Sequence, residues 1–333
     1  MLVPQIVIGE RRHDEQPDAT PDTRRFLTIR DSTDSSDLVA RAVREAKALM
    51  VHDLAPAPES TRLRLERPAV QWRDEVVAIA IERITATDLE KVVLARQLVL
   101  EASNPFSIGR VIENLVARFP VAQVFAVDGF VGASPEQLVS RTERTVRANP
   151  LAGTARRSAD VEVDAANIDA LRGSVKDLRE HRITIDWFLS ELLPLCSYVD
   201  AEPEPSVLTL ANVHHLGTLV EGLLSEPAPS ALDLVRVVHP TPALGGAPQR
   251  LALDTITELE GFDRARYGGP TGWMDAQGNG EFAVAVRTAQ IDGVSATVAA
   301  GVGVVAQSDP AAELEETQAK FQAMLGALLR AAD

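Results

Sequence analysis

A lysine opens a segment that otherwise has the pattern of a buried β-strand. Lys91 begins the run 91–100, in which apolar side chains occupy both alternating faces. Apolar residues on both faces are typical of an interior strand covered on both sides. A buried ammonium without a partner is costly to keep charged, so we expect a free amine that can act as a general base. Alternatively, Lys91 lies at the entrance of the strand and its amine reaches water.

Two sets of charged residues have spacings that place their members on one face of a helix. Carboxylates contributed by two helices could hold a hard divalent cation such as Mg²⁺, which prefers oxygen ligands. Each set is also compatible with a solvated, salt-bridged helix face. The first set is Glu313, Glu316 and Lys320, and the second is Asp177 and Glu180.

An arginine and a glutamate are further candidates for contact with an anionic ligand. Arg287 lies in the run 281–289, where its face of the predicted strand carries only alanines besides Glu281. Such small neighbours leave room for a planar anion, and arginine binds carboxylates through two hydrogen bonds. The alternative is an ion pair between Arg287 and Glu281. Glu136 begins a turn into a strand and, taken alone, is typical of an exposed acid.

Three glycine-containing segments could bring backbone N–H groups close to a ligand. They are 150–154, 243–248 and 301–303. None matches the GxGxxG or P-loop pattern, so nucleotide binding has no support. Ordinary turn geometry would explain these glycines equally well.

The elements that must position these residues occur in blocks rather than in strict βαβ alternation. The pattern predicts an α+β fold of antiparallel sheets covered by helices. Predicted helices are 36–50, 75–85, 165–196, 232–238, 247–259 and 310–330, the last with Asp309 as its cap. Predicted strands are 91–100, two or three within 123–147, and a hairpin of 281–291 with 295–305.

Composition narrows the classes of function. The 333 residues carry a formal net charge of −15, which disfavours nucleic acid and anionic membranes as partners. An acidic chain that handles an anionic substrate must concentrate positive charge locally. Cys196 is the only cysteine, which excludes an intrachain disulfide and fits a reducing compartment. With no signal-peptide or membrane-spanning pattern, we expect a cytoplasmic protein.

Taken together and in order, ten segments resemble the chorismate-utilising enzymes, and the isochorismate synthases most closely. The resemblance covers residues 91–328, whereas residues 1–90 match only as a variable N-terminal part. The segments are KVVLAR (91–96), SPE (134–136), PLAGT (150–154), KDLREH (176–181), HLGT (215–218), HPTPALGGAP (239–248), YGGPTGW (267–273), GEFAVAVR (280–287), AAGVGVV (299–305) and ELEETQAK (313–320).

The resemblance implies one α+β domain of two stacked antiparallel sheets flanked by helices, with the site between the sheets. It implies water addition at C2 of chorismate, with Lys91 as the base, and protonation of the departing C4 hydroxyl by Glu136, whose pKa should be raised. Implied Mg²⁺ ligands are Glu180 and Glu316, with Glu313 and Asp177 nearby. Implied contacts with chorismate come from Gly153, Thr154, His215, Ala243, Leu244, Tyr267, Arg287, Gly301 and Lys320.

Lys91 distinguishes the water-using branch from the anthranilate and aminodeoxychorismate synthases, which add ammonia and typically carry glutamine there. A salicylate synthase, which goes on to eliminate pyruvate, remains the alternative because relatives of that kind tend to have tyrosine at the position of Tyr267. We expect a monomer whose partner is the small molecule chorismate. Whether isochorismate would feed menaquinone or siderophore synthesis depends on downstream enzymes.

Overall fold

The computed structural model describes residues 6–13, 22–29, 60–65 and 68–329. The chain divides into two compact units, residues 1–55 and 56–333. In the first unit, β1 (Ile6–His13) and β2 (Asp22–Ile29) pair as an antiparallel ribbon. The predicted helix 36–50 lies outside the described residues. The expected division of one domain into a variable part, residues 1–90, and a catalytic region, residues 91–333, stays a prediction.

In the second unit, helices and strands occur in blocks, as predicted. Its strands are β3 (Thr61–Leu65), β4 (Lys91–Ala102), β5 (Gln123–Val127), β6 (Phe130–Ser134), β7 (Gln137–Thr142), β8 (Thr145–Asn149), β9 (Leu151–Arg156), β10 (Cys196–Ala201), β11 (Ser206–Thr209), β12 (Val213–Gly217), β13 (Val220–Leu224), β14 (Gly246–Ala247), β15 (Pro270–Met274), β16 (Gly280–Val284), β17 (Thr288–Asp292) and β18 (Ser295–Val305). Its helices are α1 (Ala78–Ala86), which continues the helical turns Ala69–Gln71 and Trp72–Val77, α2 (Ile108–Arg118), α3 (Val161–Gly173), α4 (Val175–Leu192), α5 (Ala231–Val238), α6 (Gln249–Leu259) and α7 (Pro310–Leu329).

The strands of this unit form two large antiparallel sheets and one small one, which confirms the α+β prediction. The seven-stranded sheet has the order β14-β4-β18-β17-β6-β5, with β3 also paired to β4. The six-stranded sheet has the order β10-β13-β8-β7-β16-β15. The sequence did not predict the third sheet, β11-β12-β9, in which residues 151–156 pair with 213–217.

Three apolar clusters hold the helices on these sheets. The first includes Leu100, Leu115 and Met324 and joins the seven-stranded sheet to α2 and α7. The second includes Phe188 and joins the six-stranded sheet to α4 and α5. The third includes Trp72 and joins α1 and α6 to β4 and β18. The helices of these clusters therefore each bury one face, as amphipathic helices on a sheet must. Among the residues described, no helix has both the length and the apolar character that crossing a membrane requires.

Side-chain caps explain where the helices near the site begin. The predicted helix 165–196 is wrong as a single helix, because Ser174 separates α3 from α4 with an extended backbone. The Ser174 hydroxyl accepts a hydrogen bond from the Asp177 N–H, so this serine is the N-cap of α4. Asp309 caps α7 as predicted, since its carboxylate accepts from the Ala312 N–H at 2.8 Å.

Two predictions about strands were incorrect. Residues 123–147 form four strands, β5 to β8, rather than two or three. The predicted strand 281–291 breaks between β16 and β17, which belong to different sheets. At the break, Arg287 has a positive φ of 54°, an uncommon conformation for a residue with a side chain. The chain thus changes sheets at the residue that the sequence singled out as an anion ligand, and a strained backbone of this kind is often found at functional sites.

Candidate active site

One cavity gathers most of the residues that the sequence singled out. It is lined by parts of α4, α7, β9, β12 and β18 and by the loops around residues 136, 244, 267 and 287. All of the predicted site residues line it except Lys91, Asp177 and Glu313.

Lys91 lies just beyond the cavity wall and is fully buried, with 0% of its surface exposed. Its Nζ lies 3.1 Å from Oε1 of Glu180, a residue that does line the cavity, so the two groups form an ion pair. The amine makes no hydrogen bond to any residue that the structure describes. The idea that the amine reaches water is therefore wrong, and so is the expectation of a buried amine without a charged partner. Space for the pair comes from Gly303, where a Cβ atom would lie 2.1 Å from Oε1 of Glu180.

Glu136 is buried in the loop between β6 and β7, with 8% of its surface exposed, so it is not the exposed acid that its local sequence suggested. Burial raises its pKa to about 7. The Leu151 backbone N–H and the positive charges of Lys91, Arg287 and Lys320 act in the opposite direction but do not overcome burial. Near neutral pH this carboxyl therefore holds its proton for a large part of the time, as a general acid must.

Arg287 is oriented by a histidine rather than by Glu281. Its Nη2 lies 3.0 Å from Nε2 of His215, while Glu281 accepts hydrogen bonds from Gln123 and Gln137. Because arginine can only donate, Nε2 of His215 is the acceptor and the ring proton is on Nδ1. Burial and the charge of Arg287 lower the pKa of His215 to about 3, so the imidazole is neutral. The proposed Arg287–Glu281 pair is therefore not formed.

The same hydrogen-bonded chain continues to the last helix. Nδ1 of His215 lies 3.1 Å from the Thr154 hydroxyl, and that hydroxyl bonds to Glu316. Lys320 lies 2.7 Å from Glu316 and donates to the Gly301 carbonyl at 2.9 Å. Burial alone would raise the pKa of Glu316, but Lys320, Lys176 and the Thr154 hydroxyl together outweigh it, and the net pKa falls below the usual range. Glu316 is thus an ionised carboxylate at the cavity surface.

The remaining carboxylates lie behind Glu180 and Glu316. Glu313 is completely buried, and its Oε1 pairs with Nζ of Lys176 at 2.5 Å, whereas its Oε2 has no hydrogen-bond partner. Burial, together with the charge of Glu316, raises the pKa of Glu313 to about 7. Burial also raises the pKa of Asp177. Helical spacing indicated that each carboxylate pair lies on one face of its helix. The electrostatic interaction of Asp177 with Glu316 shows that the two pairs also meet in space, so they are not solvated helix faces.

The donor set suits a magnesium ion bound through few protein ligands. Within the described ranges, no three His, Cys, Asp or Glu side chains form a group that could hold a metal together. Mg²⁺ does not require one, because it retains several waters and usually takes one or two carboxylates along with oxygens of the substrate. Glu180 and Glu316 both line the cavity and offer two such carboxylates, and the unpartnered Oε2 of Glu313 lies on the same helix as Glu316. The residues present fit the ion.

Sequence reasoning missed several residues of the site. Lys176 neutralises Glu313, and Gly303 makes room for the Lys91–Glu180 pair. Arg264 lines the cavity and forms an ion pair with Glu260. The i, i+4 spacing of Glu260 and Arg264 was a visible signal for the last pair. No local pattern indicates the other two, whose roles depend on partners more than 100 positions away in sequence.

These residues place cations, a protonatable acid and an ionised carboxylate around one cavity. A family model described as "Chorismate binding enzyme" matches residues 21–329. Isochorismate synthase MenF of Bacillus subtilis is 40% identical over 258 residues, which are 76% of this chain and 55% of that protein. The chain thus spans little more than half the length of this relative. It belongs to the chorismate binding enzymes.

Solved structures agree with this assignment. MenF, the menaquinone-specific isochorismate synthase from Escherichia coli, has a TM-score of 0.74 at 25% identity, covering 92% of this chain and 72% of that chain. Anthranilate synthase component I from Streptococcus pneumoniae has a TM-score of 0.73, also at 25% identity, covering 92% of this chain and 74% of that chain. The fold is therefore common to proteins named for different activities, and the choice between them depends on the site.

Proposed function

We propose that the chain is an Mg²⁺-dependent isochorismate synthase, which adds water at C2 of chorismate and releases the C4 hydroxyl. The observation that carries the proposal is a fully buried lysine, Lys91, at the wall of the cavity that Glu136 lines. The reaction needs a base and an acid, and Lys91 and Glu136, a carboxyl with a pKa of about 7, would fill these two roles. The relatives named isochorismate synthase support the same conclusion.

The cations of the cavity would hold the two carboxylates of chorismate. Arg287 gives one N–H to His215, which leaves its other donors for a carboxylate. Lys320 would contribute a second positive charge from α7. Backbone groups at Gly153, Thr154 and Gly301 would complete these contacts. Local positive charge of this kind compensates for the formal net charge of −15 of the whole chain.

Lys91 and Glu136 would divide the proton transfers between them. Water is a weak nucleophile, so Lys91 would take a proton from the water as it bonds to C2. Hydroxide is a poor leaving group, so Glu136 would give its proton to the C4 oxygen, and water would depart as the ring double bonds shift. The two groups must act from opposite faces of the ring for both steps to occur in one bound geometry.

Glu180 and Glu316 would hold Mg²⁺, with Glu313 and Asp177 close enough to act through water. When bound, the ion supplies positive charge that orients a substrate carboxylate among the acidic side chains of α4 and α7. Glu180 would have to serve both as a ligand of the ion and as the partner of Lys91, whose Nζ lies 3.1 Å away. His215 would remain neutral and fix the guanidinium of Arg287.

A salicylate synthase remains the second candidate because of Tyr267. This tyrosine lines the cavity, and its hydroxyl accepts a hydrogen bond from the Gly301 backbone N–H. Such a group could support the elimination of pyruvate from isochorismate. Ala243 and Leu244, which border the cavity near the predicted path of the water, would then serve both reactions.

Product analysis tests the proposal. The protein is incubated with chorismate and Mg²⁺, and the products are separated and identified by mass. We expect isochorismate without pyruvate. Salicylate together with pyruvate would replace the main proposal with the second candidate, and unchanged chorismate at every Mg²⁺ concentration would exclude both.

A further inference from the structure

The strand that carries Lys91 has a gap in its pairing immediately beside the cavity. On one side β4 pairs with β18 along its whole length. On the other side it pairs with β14 only at residues 91–92 and with β3 only at residues 98–102. Among the described residues, no strand pairs with 93–97 along this edge, so their buried backbone groups need other partners.

A buried glutamate and an arginine fill this gap. Oε1 of Glu260 accepts a hydrogen bond from the Ala95 N–H at 2.6 Å, and Nη2 of Arg264 donates to the Val93 carbonyl at 2.7 Å. Glu260 and Arg264 also pair with each other through both carboxylate oxygens. The side chain of Glu260 is 1% exposed and that of Arg264 is 19% exposed. Together they satisfy the Ala95 N–H and the Val93 carbonyl, while the Ala95 carbonyl accepts a hydrogen bond from Nε1 of Trp72 at 3.3 Å.

Arg264 also holds the loop that borders the cavity. Its Nη1 donates to the Leu244 carbonyl at 2.8 Å. Next to this contact, the Gly245 carbonyl accepts from the Val93 N–H at 2.8 Å. One guanidinium thus joins the strand of Lys91 to the turn of Leu244. Its contacts with Glu260, Val93 and Leu244 are all within the protein, so Arg264 lines the cavity without offering a full fork to a substrate.

Stability alone is a weak explanation for this pair. Buried ion pairs often contribute little net stability, because removing two charges from water costs about as much as their attraction returns. A positioning role explains better why the guanidinium of Arg264 donates to two specific backbone carbonyls, those of Val93 and Leu244. Small displacements of groups around a reacting centre can lower a rate by about a hundredfold.

We infer that the Glu260–Arg264 pair is a positioning device, which sets the distance between the Lys91 strand and the Leu244 turn and so fixes the water relative to its base. This inference rests on the proposed function. Neither residue touches the reacting atoms, so both act through Val93, Ala95 and Leu244.

The test replaces Arg264 with lysine, which keeps the charge but removes the fork. A matched control is Arg144→Lys, because Arg144 likewise joins a carboxylate, that of Glu226, to a backbone carbonyl, that of Leu224, and does not line the cavity. For Arg264→Lys we expect kcat to fall by at least about tenfold while KM for chorismate stays within about threefold. Amide hydrogen exchange at residues 243–246 and at Ala95 should become faster. The control variant should leave kcat, KM and the exchange rates at these residues unchanged.

Three results would overturn the inference. They are a kcat within twofold of the wild-type value, a KM that rises while kcat is unchanged, and unaltered exchange at residues 243–246.

If Arg264→Lys fails to fold, Glu260→Gln is measured in the same way, since glutamine still accepts from the Ala95 N–H but no longer pairs with Arg264 as an ion. A wild-type protein that leaves chorismate unchanged would refute the proposed function, and the exchange comparison would then decide the positioning role alone.

Discussion

Replacing Gly303 with alanine tests whether activity depends on the position of the Glu180 carboxylate beside Lys91. The new Cβ atom would lie 2.1 Å from Oε1 of Glu180, 2.8 Å from its Cδ and 3.1 Å from Cε of Lys91. Carbon and oxygen atoms that are not bonded cannot approach to 2.1 Å, so the carboxylate must move by about 1 Å or more. The side chain of Glu180 ends in this carboxylate and can rotate, whereas Lys91 is enclosed on all sides.

The magnitude follows from the size of this displacement. Adding one methyl group to a packed interior typically costs about 1–3 kcal/mol. Moving a catalytic or metal-binding group by about 1 Å can lower the rate by about a hundredfold. We therefore expect Gly303→Ala to remain folded, with a modestly lower free energy of unfolding, and to lose about two orders of magnitude in kcat for isochorismate formation. Denaturant titration and a chorismate assay measure the two effects.

Two further variants separate this explanation from general destabilisation. Gly173→Ala places a methyl group where no atom lies within 4 Å, at the end of α3, so stability should be equal or slightly higher and activity unchanged. Gly303→Ala combined with Glu180→Asp shortens the displaced side chain, which should recover stability without recovering activity. A Gly303→Ala protein that retains kcat within threefold of wild type would refute the reasoning.

Three other substitutions test individual roles. Lys91→Gln should abolish water addition while chorismate still binds, because the contacts with its carboxylates remain; binding is measured by calorimetry. Glu136 holds its proton up to about pH 7 in the folded protein but only to about 4.5 when unfolded, so wild-type stability falls as pH rises through this window. Glu136→Gln does not titrate and should therefore be more stable than wild type above pH 7, by up to about 3 kcal/mol, in denaturant titrations at several pH values. Glu316→Gln should shift the Mg²⁺ titration of activity to higher concentrations, because one of two carboxylate ligands is lost.

Each of these expectations has a contrary result. Turnover by Lys91→Gln near the wild-type rate would remove Lys91 from the mechanism. Equal stability of the Glu136→Gln and wild-type proteins at pH 8 and above would mean that Glu136 ionises as easily in the fold as in water. An unchanged Mg²⁺ titration for Glu316→Gln would show that the ion is held elsewhere.

The sequence predicted the elements whose pattern is local. The strand of Lys91 was visible because both faces are apolar, and α7 was visible from its cap at Asp309. Helical spacing indicated that each carboxylate pair lies on one face of its helix, but not that the faces of α4 and α7 meet. The raised pKa of Glu136 was expected from the resemblance and agrees with its burial.

Features that depend on distant partners could not be predicted. The run 281–291 has a continuous strand pattern, yet it changes sheets at Arg287, because β16 pairs with β7 and β17 with β18 and β6. The neutral state of His215 depends on its burial and on Arg287, which is 72 residues away. Lys91 was expected to lack a charged partner, because nothing in its own strand indicates that Glu180 of α4 reaches it.

The most direct test of the account is the origin of the new hydroxyl oxygen. Chorismate is converted with Mg²⁺ in water enriched in heavy oxygen, and the product is analysed by mass for the wild-type protein and for Lys91→Gln. The account predicts isochorismate that carries one oxygen atom from solvent in the wild-type reaction and no labelled product from Lys91→Gln. Isochorismate without solvent oxygen, or equal labelling by both proteins, would contradict it.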